Sequence, residues 1–228
     1  MPAWLELVPV ELPGRGARIA QALQDDMALL ADQLAAELLP ELPRAYALFG
    51  HSLGALLAFE VARRFHGGEM PEPRMLIVSG AEAPAVRDGA AYAALRSDED
   101  VLAYVRGLNG MSGEVLANSE LLALMLPIIK ADLRLCAGYR HVLQPQLTCP
   151  MHVFGGWRDE VDIKALQAWR RETTGEFALH MFEGDHFFIH SGQREVLDRL
   201  ARLLSACASG RETKREGEGR DVQCYIDS

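Results

Sequence analysis

Ser52, within Gly50-His51-Ser52-Leu53-Gly54, is the residue whose type and setting point most directly to chemistry. The pentapeptide follows a short apolar run, Tyr46-Ala47-Leu48-Phe49, and opens an amphipathic stretch, Ala55 to Phe65. Strand, Gly-x-Ser-x-Gly, helix is the context of a nucleophile elbow. The serine sits on a strained turn, and side chains at positions 50 and 54 would collide with neighbouring backbone. The turn lifts the hydroxyl out of a sheet and aims the next amide, that of Leu53, at a reacting carbonyl as an oxyanion donor.

A serine hydroxyl is a weak nucleophile at neutral pH. It needs a base within hydrogen-bond reach and a carboxylate to orient that base. On an elbow of this kind the chain order is serine, acid, histidine. Two loops fit. Phe154-Gly155-Gly156-Trp157-Arg158-Asp159 places Asp159 just past one strand, and Glu183-Gly184-Asp185-His186-Phe187-Phe188 places His186 just past the next. Both loops leave the carboxyl edge of the sheet, where open α/β sheets bind ligands. The competitors are His190, near a helix start, and Glu82, after another strand. His51 reads as a packing residue of the elbow or one that supports the catalytic residues from behind, and Asp162 and Asp185 as ordinary loop acids. His66, His141, His152 and His180 have no motif context. No His/Cys/Asp group has metal-ligand spacing, so neither a metal nor a cofactor is expected. The chemistry implied is acyl transfer through Ser52, with His186 as base, Asp159 as its orienting acid and the Leu53 amide at the oxyanion.

The elements that must hold these residues alternate. Leu5–Leu12, Tyr46–Phe49, Met75–Val78, Met151–Phe154 and Phe177–Phe182 read as strands; Ile19–Leu39, Ala55–Phe65, Ile163–Thr173 and Arg194–Cys207 read as helices. Alternation of this kind predicts a mostly parallel α/β sheet flanked by helices. About 70 residues separate the strands ending near Gly80 and starting near Met151, far more than an ordinary crossover. The interval is helical in pattern: Ser97 caps an acidic first turn, and Asn118 begins a run from Leu121 to Tyr139 that includes Pro127. Residues 87–146 are therefore expected to form a helical lid over a pocket. Residues 1–208 form the expected domain, and polar residues 209–228 the expected disordered tail.

Composition closes off other classes. The chain has 228 residues, 49% hydrophobic, enough for one domain with a full core. Its net charge of −9 argues against a nucleic-acid groove. The scattered Cys136, Cys149, Cys207 and Cys224 read as thiols of a reducing compartment. No apolar run reaches membrane-span length and no signal peptide opens the chain, so a cytoplasmic protein is expected.

Several ordered stretches resemble the type II thioesterases that accompany nonribosomal peptide and polyketide synthases. They are Leu12-Pro13-Gly14-Arg15-Gly16-Ala17-Arg18; Phe49 to Ala55 with Phe59-Glu60-Val61-Ala62-Arg63; Lys130-Ala131-Asp132; Gly155-Gly156-x-x-Asp159; and Gly184-Asp185-His186-Phe187-Phe188. The resemblance runs from about Leu5 to Leu204. It implies an α/β-hydrolase fold, a Ser52, Asp159, His186 triad, and acyl or aminoacyl thioesters on the 4′-phosphopantetheine arm of a carrier protein as substrates. Carrier domains of a synthase are the implied partners. Without the resemblance the residues stop at a serine hydrolase, and a generic esterase or a binding protein on the same scaffold stays open. Two departures stand out. The family's early strand with a Phe-Pro-x-Ala-Gly-Gly type turn, a second oxyanion donor, has no counterpart, so one strand is expected to be missing and the activity reduced. Gly80-Ala81-Glu82-Ala83-Pro84 lacks an expected arginine. The Pro-Gly-Arg-Gly segment reads as a structural turn.

Overall fold

The computed structural model describes residues 4–43, 45–67, 72–111, 113–209 and 222–227. In chain order its elements are β1 (Leu5–Val10), α1 (Met27–Leu38), β2 (Tyr46–His51), α2 (Leu53–Phe65), β3 (Met75–Ser79), α3 (Ala90–Ala93), α4 (Asp98–Gly107), α5 (Gly113–Ala117), α6 (Ser119–Gly138), β4 (Met151–Gly156), α7 (Ile163–Gln167), β5 (Phe177–Phe182), α8 (Phe188–Ser191), α9 (Gln193–Ser209) and β6 (Val222–Asp227). The six strands form one sheet in the order β1-β6-β2-β3-β4-β5, and every pairing is parallel. All strand ends that follow an outgoing element therefore open on one edge, which is what a site assembled from several loops requires.

Strand composition explains the layering. β3 reads Met-Leu-Ile-Val-Ser and is buried along its whole length, as a strand covered on both faces must be. Its side chains divide by parity. Leu76 and Val78 join a core with Leu48, Met151, Val153, α1 and α2; Met75 and Ile77 join a second core with Phe49, Phe154, Phe182 and α9. Burial of a side chain such as Leu56 or Leu76, each with no exposed surface, contributes roughly 1.5–3 kcal/mol. Cys136 and Cys149 are buried free thiols.

Two expectations are corrected. The helix anticipated over Ile19–Leu39 begins only at Met27, because Asp26 is its cap: the carboxylate accepts from the amides of Ala28 and Leu29 at 2.8 and 3.1 Å. The tail expected to be disordered over 209–228 is in part a strand. Val222–Asp227 lies between β1 and β2 and pairs with both, Leu5 opposite Val222 and Phe49 opposite Ile226. β6 thus gives the backbone groups on one side of β1 and one side of β2 their strand partner. Residues 210–221 and 228 of that stretch lie outside the described residues.

The long interval between β3 and β4 is helical, from α3 to α6. Ser97 and Asp100 form a reciprocal capping box at α4, and Asn118 caps α6 by accepting from Glu120 and Leu121. A cavity of about 280 Å³ lies within this insertion, lined by Tyr92, Leu95, Val101, Leu133 and Arg134 among others.

Candidate active site

β2 delivers Ser52 into a turn that few side chains tolerate. Ser52 has φ of 55° and ψ of −115°, immediately before the first residue of α2. Its amide donates to the Ser79 carbonyl at 2.7 Å, tying the turn to β3. The space beneath is closed: a Cβ on Gly50 would stand 1.9 Å from the Gly54 carbonyl oxygen. Glycine at 50 is thus a steric requirement of the turn. Leu53 is the first residue of α2, so its N–H has no acceptor within the helix and points with the positive end of the helix dipole. That N–H is positioned to donate to an oxygen beside Ser52.

The acid and base loops are built against each other. β4 and β5 are neighbours, and beyond them the Trp157 amide donates to Phe182 at 2.9 Å and the Arg158 amide to Gly184 at 2.9 Å. A Cβ on Gly156 would stand 2.6 Å from the Asp185 carbonyl oxygen, so only glycine allows this approach. The result is a chain of three side chains. His186 Nδ1 lies 3.1 and 3.2 Å from the two oxygens of Asp159, and its Nε2 lies 3.1 Å from Ser52 Oγ. Asp159 and His186 are only 1% and 9% exposed in their side chains. A carboxylate only accepts, so Nδ1 carries the proton and Nε2 is the free acceptor facing the serine hydroxyl.

The other candidates are elsewhere engaged. It is Asp159, not Glu82, that His186 meets. His190 stacks on Phe187 with ring centroids 6.0 Å apart. Asp162 caps α7 through the Lys164 amide at 2.6 Å. His51 sets its Nδ1 2.9 Å from Ser79 Oγ and its ring 5.1 Å from that of His186. Burial first, and then the nearby His186, pull the His51 pKa down to about 3. His51 is therefore neutral at ordinary pH and adds no positive charge beside the base. His152 and His180 pair at 3.1 Å between β4 and β5, both shifted down chiefly by burial, His180 to about 4. Among the described residues no group of three or more His, Cys, Asp or Glu could hold a metal ion.

Two contacts escaped the sequence because they join residues far apart in the chain. Arg15, in the Pro-Gly-Arg-Gly turn, makes a two-pronged ion pair with Asp132 of α6 at 2.7 and 3.1 Å. Burial raises the Asp132 pKa, with the Arg15 hydrogen bonds opposing. Asn109, just past α4, donates from Nδ2 to Asp185 Oδ2 at 3.0 Å, next to His186 in sequence. This bond is the leading cause that holds the Asp185 carboxyl below its ordinary range. The only local signal was Asn109-Gly110 after a helical run, a stop with no stated target.

The thioesterase domain family matches residues 1–204. The linear gramicidin dehydrogenase LgrE of Brevibacillus parabrevis is 36% identical over 92% of this chain and 81% of its own. The gramicidin S biosynthesis protein GrsT of Aneurinibacillus migulanus is 33% identical over 89% of this chain and 80% of its own. Among solved structures, the type II thioesterase BorB from the borrelidin biosynthetic cluster superposes with a TM-score of 0.79 at 33% identity, covering 89% of this chain and 93% of that one.

Proposed function

The chain belongs to the thioesterase domain family, and from that premise we propose that it hydrolyses acyl or aminoacyl thioesters held on the 4′-phosphopantetheine arm of carrier proteins. The observation that carries the reading is His186 spanning Asp159 and Ser52 at the elbow. In the first step the Ser52 oxygen bonds to the thioester carbon while its proton passes to His186 Nε2. The carbonyl oxygen takes the negative charge beside the Leu53 amide. Collapse breaks the carbon–sulfur bond, and the leaving sulfur takes the proton from His186. Water then adds to the acyl-serine, giving His186 its proton, and the acid departs as the proton returns to Ser52 Oγ. Asp159 holds the imidazole tautomer and balances its transient positive charge. Three side chains, one amide and water suffice, so the reading asks for no cofactor or metal; the phosphopantetheine belongs to the substrate.

The helical insertion from α3 to α6 is read as the lid over the acyl group, by its place after β3 above the carboxyl edge. The partners are carrier domains of a synthase or synthetase of secondary metabolism, in keeping with the names of the relatives. Among the described residues no helix is long and apolar enough to cross a membrane, and the cytoplasm is the proposed compartment. A dehydrogenase, the word in one relative's name, would require a dinucleotide site; the chain contains no Gly-x-Gly-x-x-Gly segment.

The test pairs the chain with Ser52→Ala. The parent should label with a fluorophosphonate and hydrolyse an acyl-pantetheine thioester faster than the matching oxygen ester, and the variant should do neither. Labelling that persists in Ser52→Ala overturns the reading. Preference for the oxygen ester replaces it with a general esterase.

A further inference from the structure

α4 ends in a specific way. The Gly110 amide donates to the Val105 carbonyl at 3.1 Å and the Asn109 amide to Arg106 at 3.1 Å, the paired bonds of a Schellman cap. The residue that must then turn left-handed is Asn109, with φ of 56°. Glycine fills that position at least conformational cost. Asparagine costs more, and here it brings a side-chain amide that reaches across 76 residues to Asp185. Asp185 uses its other oxygen to accept from the Phe187 amide at 3.0 Å. Between those two residues of the small turn sits His186.

A second contact meets the same turn. Gly110 lies against the Phe187 ring so closely that a Cβ there would come within 2.8 Å of it. Phe187 in turn stands edge-on to the His186 imidazole, ring centroids 5.2 Å apart. The end of one helix of the insertion therefore touches the residue before the base and the residue after it.

We propose that Asn109 is a positioning residue: from the cap of α4 it holds Asp185 and thereby sets the turn that presents His186 to Ser52. It rests on His186 being the base of the proposed hydrolysis. Asn109 touches no reacting atom; it acts through Asp185. The arrangement also means that the base turn is fully set only while α4 is packed against it, so any swing of the insertion away from the sheet loosens the base.

The experiment uses the full chain with three replacements. Asn109→Gly keeps the left-handed turn and removes the amide. Asn109→Asp faces Asp185 with a like charge. Asn109→Asp combined with Asp185→Asn restores a carboxylate–amide bond with the donor on the opposite side, leaving an oxygen at 185 for the Phe187 amide. The two single variants should lower kcat on an acyl-pantetheine thioester, and the rate of fluorophosphonate labelling, by about three- to tenfold, since the bond joins a charged acceptor but is solvent-exposed. KM should stay within about twofold, and amide exchange in residues 183–188 should quicken. The double replacement should recover most of the loss. Unchanged kcat and unchanged exchange in Asn109→Gly overturn the proposal, as does a double variant no better than Asn109→Asp. If the parent chain fails to label at Ser52, the hydrolase reading falls, and the exchange and its recovery still decide whether Asn109 holds the turn.

Discussion

Gly156→Ala is a sharp test of how the acid and base loops are held, because the substitution adds one methyl group and no chemistry. Its Cβ would stand 2.6 Å from the Asp185 carbonyl oxygen, 2.8 Å from that of Gly184 and 3.0 Å from the Phe188 ring. Carbon–oxygen contacts settle at about 3.3 Å or more, so the loops must part by roughly half an ångström or more. Two of the obstructing atoms are backbone, so no side-chain rotation relieves the clash. The parting falls on the line between Asp159 and His186, now 3.1 Å apart. Stretching it toward 3.6 Å removes a real hydrogen bond, and a misplacement of about 1 Å in a catalytic group costs on the order of a hundredfold. We therefore expect kcat to fall about 10- to 100-fold, with KM little changed. The thermal midpoint should drop by several degrees, consistent with roughly 1–3 kcal/mol of overpacking. Steady-state turnover of an acyl-pantetheine thioester, with circular dichroism to verify folding, makes the measurement. A folded Gly156→Ala variant with turnover within twofold of the parent would refute the account of the loop contact.

Two further outcomes follow from the charges. His51 keeps a pKa of about 3 in the fold, whereas an unfolded histidine takes up its proton near 6.5. Between those values the unfolded chain binds the extra proton. Stability contributed by neutral His51 is present above about pH 6.5 and is lost as the pH falls, by up to about 1.4 kcal/mol per pH unit. Urea unfolding of His51→Gln between pH 4 and 7 should show a shallower acid slope than the parent; an identical slope counts against a buried neutral imidazole. Arg15→Ala strips Asp132 of its two-pronged partner and should cost about 1–3 kcal/mol. Limited proteolysis should then cut sooner between residues 90 and 138, and an unchanged cleavage pattern would show that the pair does not restrain α6.

What was legible in the sequence is what short-range physics writes. The elbow could be read because an apolar strand, two small residues around a serine and an amphipathic helix all lie within twenty residues. Asp159 and His186 could be read because each follows a strand directly, and parallel strands release their loops at one edge. α1 starts later than its apolar spacing predicts: that spacing runs back to Ile19, but the Asp26 cap sets the first helical residue at Met27. β6 was missed for a different reason. Val222, Cys224 and Ile226 alternate with polar residues, a strand period, but the surrounding tail is so polar that its average hid it. The Arg15–Asp132 and Asn109–Asp185 contacts leave no periodic trace, since each depends on how distant segments are brought together.

The place of β6 also has a consequence for how the chain acquires its fold. Among the described residues β1 has β6 as its strand neighbour, and Leu5 is paired with Val222. These strands are more than two hundred residues apart, and nearly the whole chain must close into one loop before their hydrogen bonds can form. Such closure is entropically expensive and rewarded late, the circumstance in which topology slows folding. The β2-β3-β4-β5 block, with α2 against it, is made of nearer neighbours and can gather first. We expect refolding to be sequential, with amides of β3 and β4 protected early and those of β1 last. During that lag the outer side of β2 is an open strand edge able to pair with another molecule, so the yield of refolded protein should fall as its concentration rises.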